Sequence, residues 1–172
     1  MKVSTILRQS LEGKAPTPEE ALFLSAAAGD EFDALLDAAA KLRDVGRGKT
    51  ITFSPKVFIP LTNLCRDFCG YCTFRKAPDE ANAKTMTIEE VLRVVRRGKA
   101  LGCTEALFSL GAKPEVIYPE MRRLLERMGL RTTLDYLREA CAAVLDETGL
   151  LPHSNPGLMG RADLLRLRGV NK

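Results

Sequence analysis

The sequence predicts an α/β fold in which an N-terminal helical lead, residues 1–50, precedes a parallel sheet with helical crossovers, residues 51–172. Two observations support this prediction. Residues 1–50 carry helical patterns and no strand pattern, whereas three later strand-like segments are each followed by a helical pattern. Alternation of strands and helices in this order is typical of parallel sheets covered by helices.

Composition limits the classes of protein that the chain resembles. It has 172 residues, of which 45% are hydrophobic and 28% charged, as in ordinary globular domains. No apolar run is long enough for a membrane span, and the N-terminus lacks the pattern of a signal peptide. We therefore expect a cytoplasmic protein without a membrane partner. The net charge is +4, and the densest run of basic residues is "RVVRRGK", residues 93–99. Because no aromatic residue is interleaved with these bases, a solvated helix face is favoured over nucleic acid binding.

Capping motifs locate the helices along the chain. Thr17-Pro18-Glu19-Glu20 predicts a helix start in the N-terminal lead, and Thr87-Ile88-Glu89-Glu90 predicts one that runs to about residue 101. In that second helix Leu92, Val95 and Ala100 are the candidate buried positions. Further helices are expected over residues 115–129, 133–149 and 160–171.

The strands are predicted over residues 51–63, 103–110 and 150–154. Pro60 has no N–H to donate, so the first strand should end or bulge near it. None of the three segments alternates cleanly between apolar and polar residues, which indicates a sheet that is buried on both faces.

Three thiols lie within the segment "LCRDFCGYCTFRK", residues 64–76, with the spacing C-x3-C-x2-C: Cys65, Cys69 and Cys72. In a reducing compartment such a cluster indicates metal binding or catalysis rather than disulfides. Cys65 follows the first strand directly, and the carboxyl ends of parallel strands are where α/β proteins assemble their sites.

A fourth protein ligand is not evident in the sequence. Cys103 begins the second strand, so in a parallel sheet it should lie at the opposite edge, and Cys141 falls among apolar helix residues. His153, at the end of the third strand, could approach the site. Three thiolates would then leave one coordination position open, which zinc with a bound water could use. A 4Fe-4S cluster with one iron free of protein ligands fits the three cysteines better than zinc does. Ferredoxin-type electron carriers hold each such cluster with four cysteines, so catalysis is favoured over electron transfer.

An aromatic residue, Tyr71, directly before the last cysteine makes this loop resemble the signature of radical S-adenosylmethionine enzymes. That resemblance implies a (β/α)6-type barrel, a 4Fe-4S cluster held by the three cysteines, and S-adenosylmethionine chelated to the open iron. Reductive cleavage of the sulfonium would yield a 5′-deoxyadenosyl radical that abstracts hydrogen from a substrate.

Three segments resemble a narrower family, the deazaflavin-forming FO synthases and in particular their G-type half, the 7,8-didemethyl-8-hydroxy-5-deazariboflavin synthases. They are "KVFIPLTNLCRDFCGYCTF", "GCTEALFSLGAKPE" and "LLPHSNPGLM", at residues 56–74, 102–115 and 150–159. The implied reaction forms deazaflavin from a tyrosine-derived adduct of 5-amino-6-ribitylaminouracil. The implied partners are this small-molecule substrate, a companion H-type radical subunit, and an electron donor such as a flavodoxin or ferredoxin.

The resemblance also implies roles for individual residues. Tyr71 would place its backbone against the adenine, and Gly111 would meet the methionine end of S-adenosylmethionine. Glu115 and the turn from His153 to Asn155 would line the same face. No catalytic side chain is identified. Simpler interpretations remain open, because Tyr71 could pack within its loop, Glu115 could favour a helix N-terminus, and His153 could be a hydrogen-bonded turn residue.

Two departures from the family pattern are visible. Ala112 stands where the family usually has an acidic residue, and the chain shows three of the six βα units, so we expect a partial barrel, present as a fragment or a truncated form. Two alternative functions stay open: another radical enzyme, of the menaquinone-pathway or biotin-synthase type, or a non-catalytic metal-binding remnant. Arg75 and Lys113 could meet a carboxylate or phosphate, but solvated surface positions are favoured.

Overall fold

The structure, a computed structural model, describes residues 1–171 and divides the chain into two compact units, Met1–Thr52 and Phe53–Lys172. Within the described residues no helix combines the length and the hydropathy that crossing a membrane requires. The elements follow the chain in the order α1 Val3–Leu11, α2 Pro18–Leu24, α3 Asp30–Arg47, β1 Lys56–Thr62, α4 Ile88–Ala100, β2 Glu105–Leu110, α5 Pro119–Arg127, α6 Thr133–Thr148, β3 Leu151–Asn155 and α7 Arg161–Leu167.

The N-terminal unit is helical, with α1 to α3 around a small apolar core. Its buried members are Val3, Ile6, Leu7, Leu24 and Ala38. The predicted cap is present at α2, where the Thr17 hydroxyl accepts the N–H of Glu20 and the Glu20 carboxylate accepts the N–H of Thr17. This reciprocal pair satisfies two donors that a helix start otherwise leaves unpaired.

The second unit contains a three-stranded parallel sheet in the order β1-β2-β3. Lys56 at the start of β1 pairs with Glu105 at the start of β2, which pairs with Leu151 at the start of β3. The βα alternation predicted from the sequence is therefore confirmed. The pairing slips between Pro60 and Thr62, which confirms the irregularity expected at a proline inside a strand.

Helices pack against one face of this sheet. Ile59, Ala106 and Phe108 are fully buried on that face, together with Val95 of α4 and Leu137 of α6. On the other face the side chains are only half-buried or exposed, so burial alternates along β2 and β3. The expectation of a sheet buried on both faces is thus wrong for the described residues, because helices cover a single face of the three strands.

Two helix predictions need correction. The helix expected over residues 115–129 is divided into a 3₁₀ turn, Pro114–Val116, and α5, because the proline ring at 119 forces Tyr118 into an extended conformation. In α4 the capping box at Thr87 is present, but Ala100 is exposed. Gly98 is buried instead, because it lies one helical turn after the buried Val95 and packs against Val57 of β1.

A candidate iron–sulfur loop at the end of the first strand

The cysteine loop begins where β1 ends, at the carboxyl edge of the sheet. Cys65 is half-buried, Cys69 and Cys72 are exposed, and all three thiols are free. The backbone N–H of Cys72 donates to the carbonyl of Cys69 at 3.1 Å, which folds the second half of the loop into a turn. The loop therefore presents its last two sulfurs to solvent on a locally ordered backbone.

Cys65 is the best-anchored of the three thiols. Its sulfur accepts the backbone N–H of Ala112 at 3.2 Å and that of Asp67 at 3.4 Å. Backbone donors of this kind stabilise negative charge on sulfur, as an iron ligand requires. Within residues 1–171, no three His, Cys, Asp or Glu side chains are gathered tightly enough to hold a single metal ion.

Gly111 packs directly against the backbone of this loop. A Cβ on residue 111 would lie 2.0 Å from the carbonyl oxygen of Leu64 and 2.6 Å from Cβ of Cys65. The Gly111 N–H donates to Thr62, and the carbonyl of Ala112 accepts the N–H of Arg66 at 3.1 Å. The end of β2 and the start of the cysteine loop are thus joined, and Gly111 lies beside Cys65.

Ala112 is buried and contacts the loop that follows β3. A Cβ added at Gly157, which has a φ of +77°, would lie 2.9 Å from Cβ of Ala112. The carboxyl ends of all three strands therefore converge near Cys65. A larger side chain at position 112 would have to displace this contact.

The remaining predicted cofactor residues take different positions. Tyr71 is 89% exposed, so the interpretation that it packs within the loop is not supported. Asn155, the last residue of β3, is exposed and pairs with Ser109 of β2 at the carboxyl edge of the sheet. Glu115 is buried in the 3₁₀ turn, where its carboxylate accepts the hydroxyl of Thr133.

His153 lies away from the cysteine loop, so the expectation that it approaches the site is wrong. It pairs with Leu107 inside β3, and its Nδ1 accepts a hydrogen bond from Nζ of Lys56 at 2.9 Å. Lys56 and Glu105 begin β1 and β2, at the opposite edge from Cys65. Cys103, which precedes β2, lies at that same edge, so it does not reach the loop, as predicted.

These residues form a polar cluster that the sequence analysis did not identify. Nζ of Lys56 is 2.9 Å from Oε2 of Glu105, and the Ser54 hydroxyl donates to Oε1 at 2.6 Å. Hydrogen bonds from Ser54, which has the larger effect, and from Lys56 lower the pKa of Glu105 from its ordinary 4.5 to about 2. Only the sheet register, which sequence patterns do not specify across about fifty residues, brings Lys56, Glu105 and His153 together.

Cys141 is confirmed as a buried structural thiol. Its side chain is fully buried in α6, with its sulfur 3.6 Å from the Ser154 hydroxyl. Burial raises the pKa of Cys141 to about 11. A neutral thiol in the apolar core does not act as an iron ligand.

The structure contradicts the sequence interpretation of Arg75 as a solvated residue. Its side chain is only 18% exposed, and its guanidinium lies 3.8 Å from the ring centroid of Phe68. Lys113, at a φ of +39°, pairs with Asp163 at 3.7 Å. Arginine contacts with an aromatic ring are not visible as a sequence pattern, so nothing in the local sequence could have identified them.

Comparison with known proteins supplies the family context. The family model for the radical SAM superfamily matches residues 59–170. FO synthase of Nocardia farcinica is 49% identical over 95% of this chain, and that of Streptomyces avermitilis is 44% identical over 95%. The 7,8-didemethyl-8-hydroxy-5-deazariboflavin synthase of Methanopyrus kandleri is 42% identical over 70%. The chain spans 20%, 20% and 36% of these relatives, respectively.

Two solved structures share the fold. Methylornithine synthase (PylB) has a TM-score of 0.70 at 24% identity, with 96% of this chain and 44% of that chain covered. HydG, a maturase of FeFe-hydrogenase, has a TM-score of 0.72 at 21% identity, with 98% and 34% covered. The predicted fold class, a partial barrel of three βα units preceded by helices, is therefore confirmed.

Proposed function

The chain belongs to the radical SAM superfamily, and on that premise we propose that it acts in the biosynthesis of the deazaflavin FO. The product would be 7,8-didemethyl-8-hydroxy-5-deazariboflavin, made from a tyrosine-derived adduct of 5-amino-6-ribitylaminouracil. Identity of 41–49% to FO synthases over nearly the whole chain is the observation that carries this proposal. We assign residues 51–172 to the barrel and residues 1–50 to a helical lead.

The donor set of the loop fits a 4Fe-4S cluster. Cys65, Cys69 and Cys72 are free thiols on one exposed loop, and two backbone N–H groups already point at the sulfur of Cys65. Three sulfur ligands leave one iron for S-adenosylmethionine. When bound, the pair of cofactors supplies one-electron cleavage of the sulfonium and a carbon-centred radical.

The protein's own residues would then position these groups. Gly111 allows the end of β2 to approach the loop closely, which holds Cys65 at the carboxyl end of β2. Tyr71 would offer its backbone to the adenine, and Asn155 lies at the same edge of the sheet as Cys65. Glu115 would hold the turn that follows Gly111 in place, because its carboxylate accepts a hydrogen bond from the Thr133 hydroxyl.

The uncovered face of the sheet is the natural place for a small-molecule substrate. In a closed barrel the face opposite the helices becomes the interior. A cavity of about 260 Å³ lies beside β1, and its lining comprises Phe58, Pro60, Asn63, Phe74, Asn82, Lys84, Met86 and Val94 of α4. Phe58 and Phe74 offer ring faces against which a planar substrate could stack, and Phe74 belongs to the cysteine loop.

The reaction implies further partners. FO formation would require a companion H-type radical subunit or domain and a one-electron donor such as a flavodoxin or ferredoxin. Reducing conditions, as in the cytoplasm, would keep the exposed thiols of Cys69 and Cys72 available for iron.

A chimera tests the proposal. Residues 1–172 would replace the matching segment of FO synthase from Nocardia farcinica, and FO fluorescence would be measured after anaerobic incubation with tyrosine and 5-amino-6-ribitylaminouracil. We expect FO formation by the chimera and none by the same chimera carrying Cys69→Ala. A folded, iron-loaded chimera that makes no FO would contradict the proposed function.

A further inference from the structure

Arg75 occupies an unusual place beside the cysteine loop. It is three residues beyond Cys72, yet its guanidinium turns back over Phe68, which lies between Cys65 and Cys69. The distance from Cζ of Arg75 to the ring centroid is 3.8 Å, which is within the range of a cation–π interaction. A single side chain thus connects the segment after Cys72 with the segment between Cys65 and Cys69.

The guanidinium is fixed from two other directions. Its Nη2 donates to the hydroxyl of Tyr118 at 2.8 Å, and Nη1 lies 3.6 Å from Oε1 of Glu80. Tyr118 packs against the main core directly before α5, so it provides a rigid support. The planar fork of arginine can stack and bond in several directions at once, which a lysine ammonium cannot do.

One donor of this guanidinium has no acceptor. Within residues 1–171, Nε of Arg75 is the buried side-chain nitrogen or oxygen that lacks any hydrogen-bond partner. A buried donor without an acceptor is unfavourable and calls for an explanation, such as a group that binds later. The loop beside it carries three thiols that would become anionic on binding iron.

We propose that Arg75 is a positioning residue that holds the cysteine loop in its iron-binding conformation through Phe68. Its positive charge would then stabilise the anionic sulfur–iron unit that the three cysteines hold. The inference has two parts, the ordering of the loop and the stabilisation of the cluster. Only the second part rests on the proposed function. The ordering of the loop by Arg75 is a property of the iron-free protein, so the two parts can fail separately.

Hydrogen exchange of the iron-free chain tests the first part. Arg75→Gln removes the charge and the stacking fork, and we expect the amides of Arg66, Asp67 and Cys72, which are hydrogen-bonded within or beside the loop, to exchange roughly tenfold faster. Exchange in β2 should not change, which shows that the variant folds. Phe68→Leu should produce the same acceleration, and the double variant should add little to either single change.

Arg66→Gln is the matched control. Arg66 belongs to the same loop and carries the same charge, but among the described residues its side chain forms a salt bridge with the adjacent Asp67 alone, at 3.4 Å. After anaerobic loading with iron and sulfide, Arg75→Gln should lose iron several-fold faster than this control, and its cluster should have a more negative midpoint potential. Arg75→Lys should restore the potential in part but not the slow exchange.

The outcomes separate the two proposals. A wild-type chain that takes up no iron would contradict the proposed function and the cluster part of this inference, whereas the exchange data would still decide whether Arg75 orders the loop. Exchange rates in Arg75→Gln that match those in Arg66→Gln would overturn the positioning role. Equal iron retention and equal potential in the two loaded variants would overturn the cluster role.

Discussion

Gly111 lies so close to Leu64 that a Cβ on residue 111 would come within 2.0 Å of the Leu64 carbonyl oxygen. The end of β2 therefore contacts the backbone at the start of the cysteine loop without an intervening side chain. Leu64 itself is buried, so the loop start cannot move outward without exposing core. The position of Cys65 depends on this contact.

Gly111→Ala should displace the loop. Overpacking of this kind typically costs about 1–3 kcal/mol, and here the clash is with backbone, which cannot rotate away. We expect a lower free energy of unfolding in urea and weaker iron uptake. Gly70→Ala is the control in the same loop, because a Cβ there meets nothing within 4 Å. Equal stability of the two variants would contradict this packing.

The five thiols should differ sharply in reactivity. Cys69 and Cys72 are exposed, whereas Cys141 is buried with a pKa raised to about 11, so its thiolate is scarce at pH 8. Iodoacetamide applied to the folded, iron-free chain should modify Cys69 and Cys72 within minutes and leave Cys141 unmodified, as read by peptide mass spectrometry. Urea should abolish the protection of Cys141. Comparable labelling of Cys141 and Cys72 in the folded chain would disprove its burial.

Glu105 should make stability depend on pH in the acid range. Ser54 and Lys56 hold the pKa of Glu105 near 2, below its ordinary 4.5. Because the folded-state pKa is depressed, the stabilisation is fully present above pH 4.5 and disappears as pH falls towards 2. Thermal midpoints of the wild type and Glu105→Gln should therefore differ at pH 6 and converge near pH 2.

A second carboxyl variant controls for general charge effects. Glu126→Gln removes an exposed carboxyl of α5, so its midpoint should follow that of the wild type across the same range. If the Glu105→Gln difference were the same at pH 6 and pH 2, the ionised contact with Lys56 would not be its cause.

Local chemistry made much of the fold predictable. The capping boxes at Thr17 and Thr87 are formed by residues three apart, so sequence alone indicated these helix starts. Pro60 likewise disturbs the pairing of the strand that contains it, so the irregularity of β1 was also predictable from the sequence. The kink before Pro119 was missed because the apolar helical pattern continues past it, although the restriction on the residue before proline could have revealed it.

The failures concern contacts between distant segments. His153 was expected near the cysteines, but the register of β3 against β2 places it beside Lys56, ninety-seven residues away. Arg75 was expected in solvent, but Tyr118 and Phe68 enclose it. Neither the register of β3 nor the hydrogen bond from Arg75 to Tyr118, 43 residues away, leaves a periodic signal, so these positions require the structure.

Iron stoichiometry and spectroscopy of the loaded chain test the central claim most directly. After anaerobic reconstitution, we expect about four irons per chain and an electron paramagnetic resonance spectrum of the reduced cluster that changes when S-adenosylmethionine is added. Alanine at Cys65, Cys69 or Cys72 should abolish this signal, and alanine at Cys103 or Cys141 should leave it intact. A chain that binds no iron, or that loses its iron with Cys103, would contradict the claim of a three-cysteine cluster.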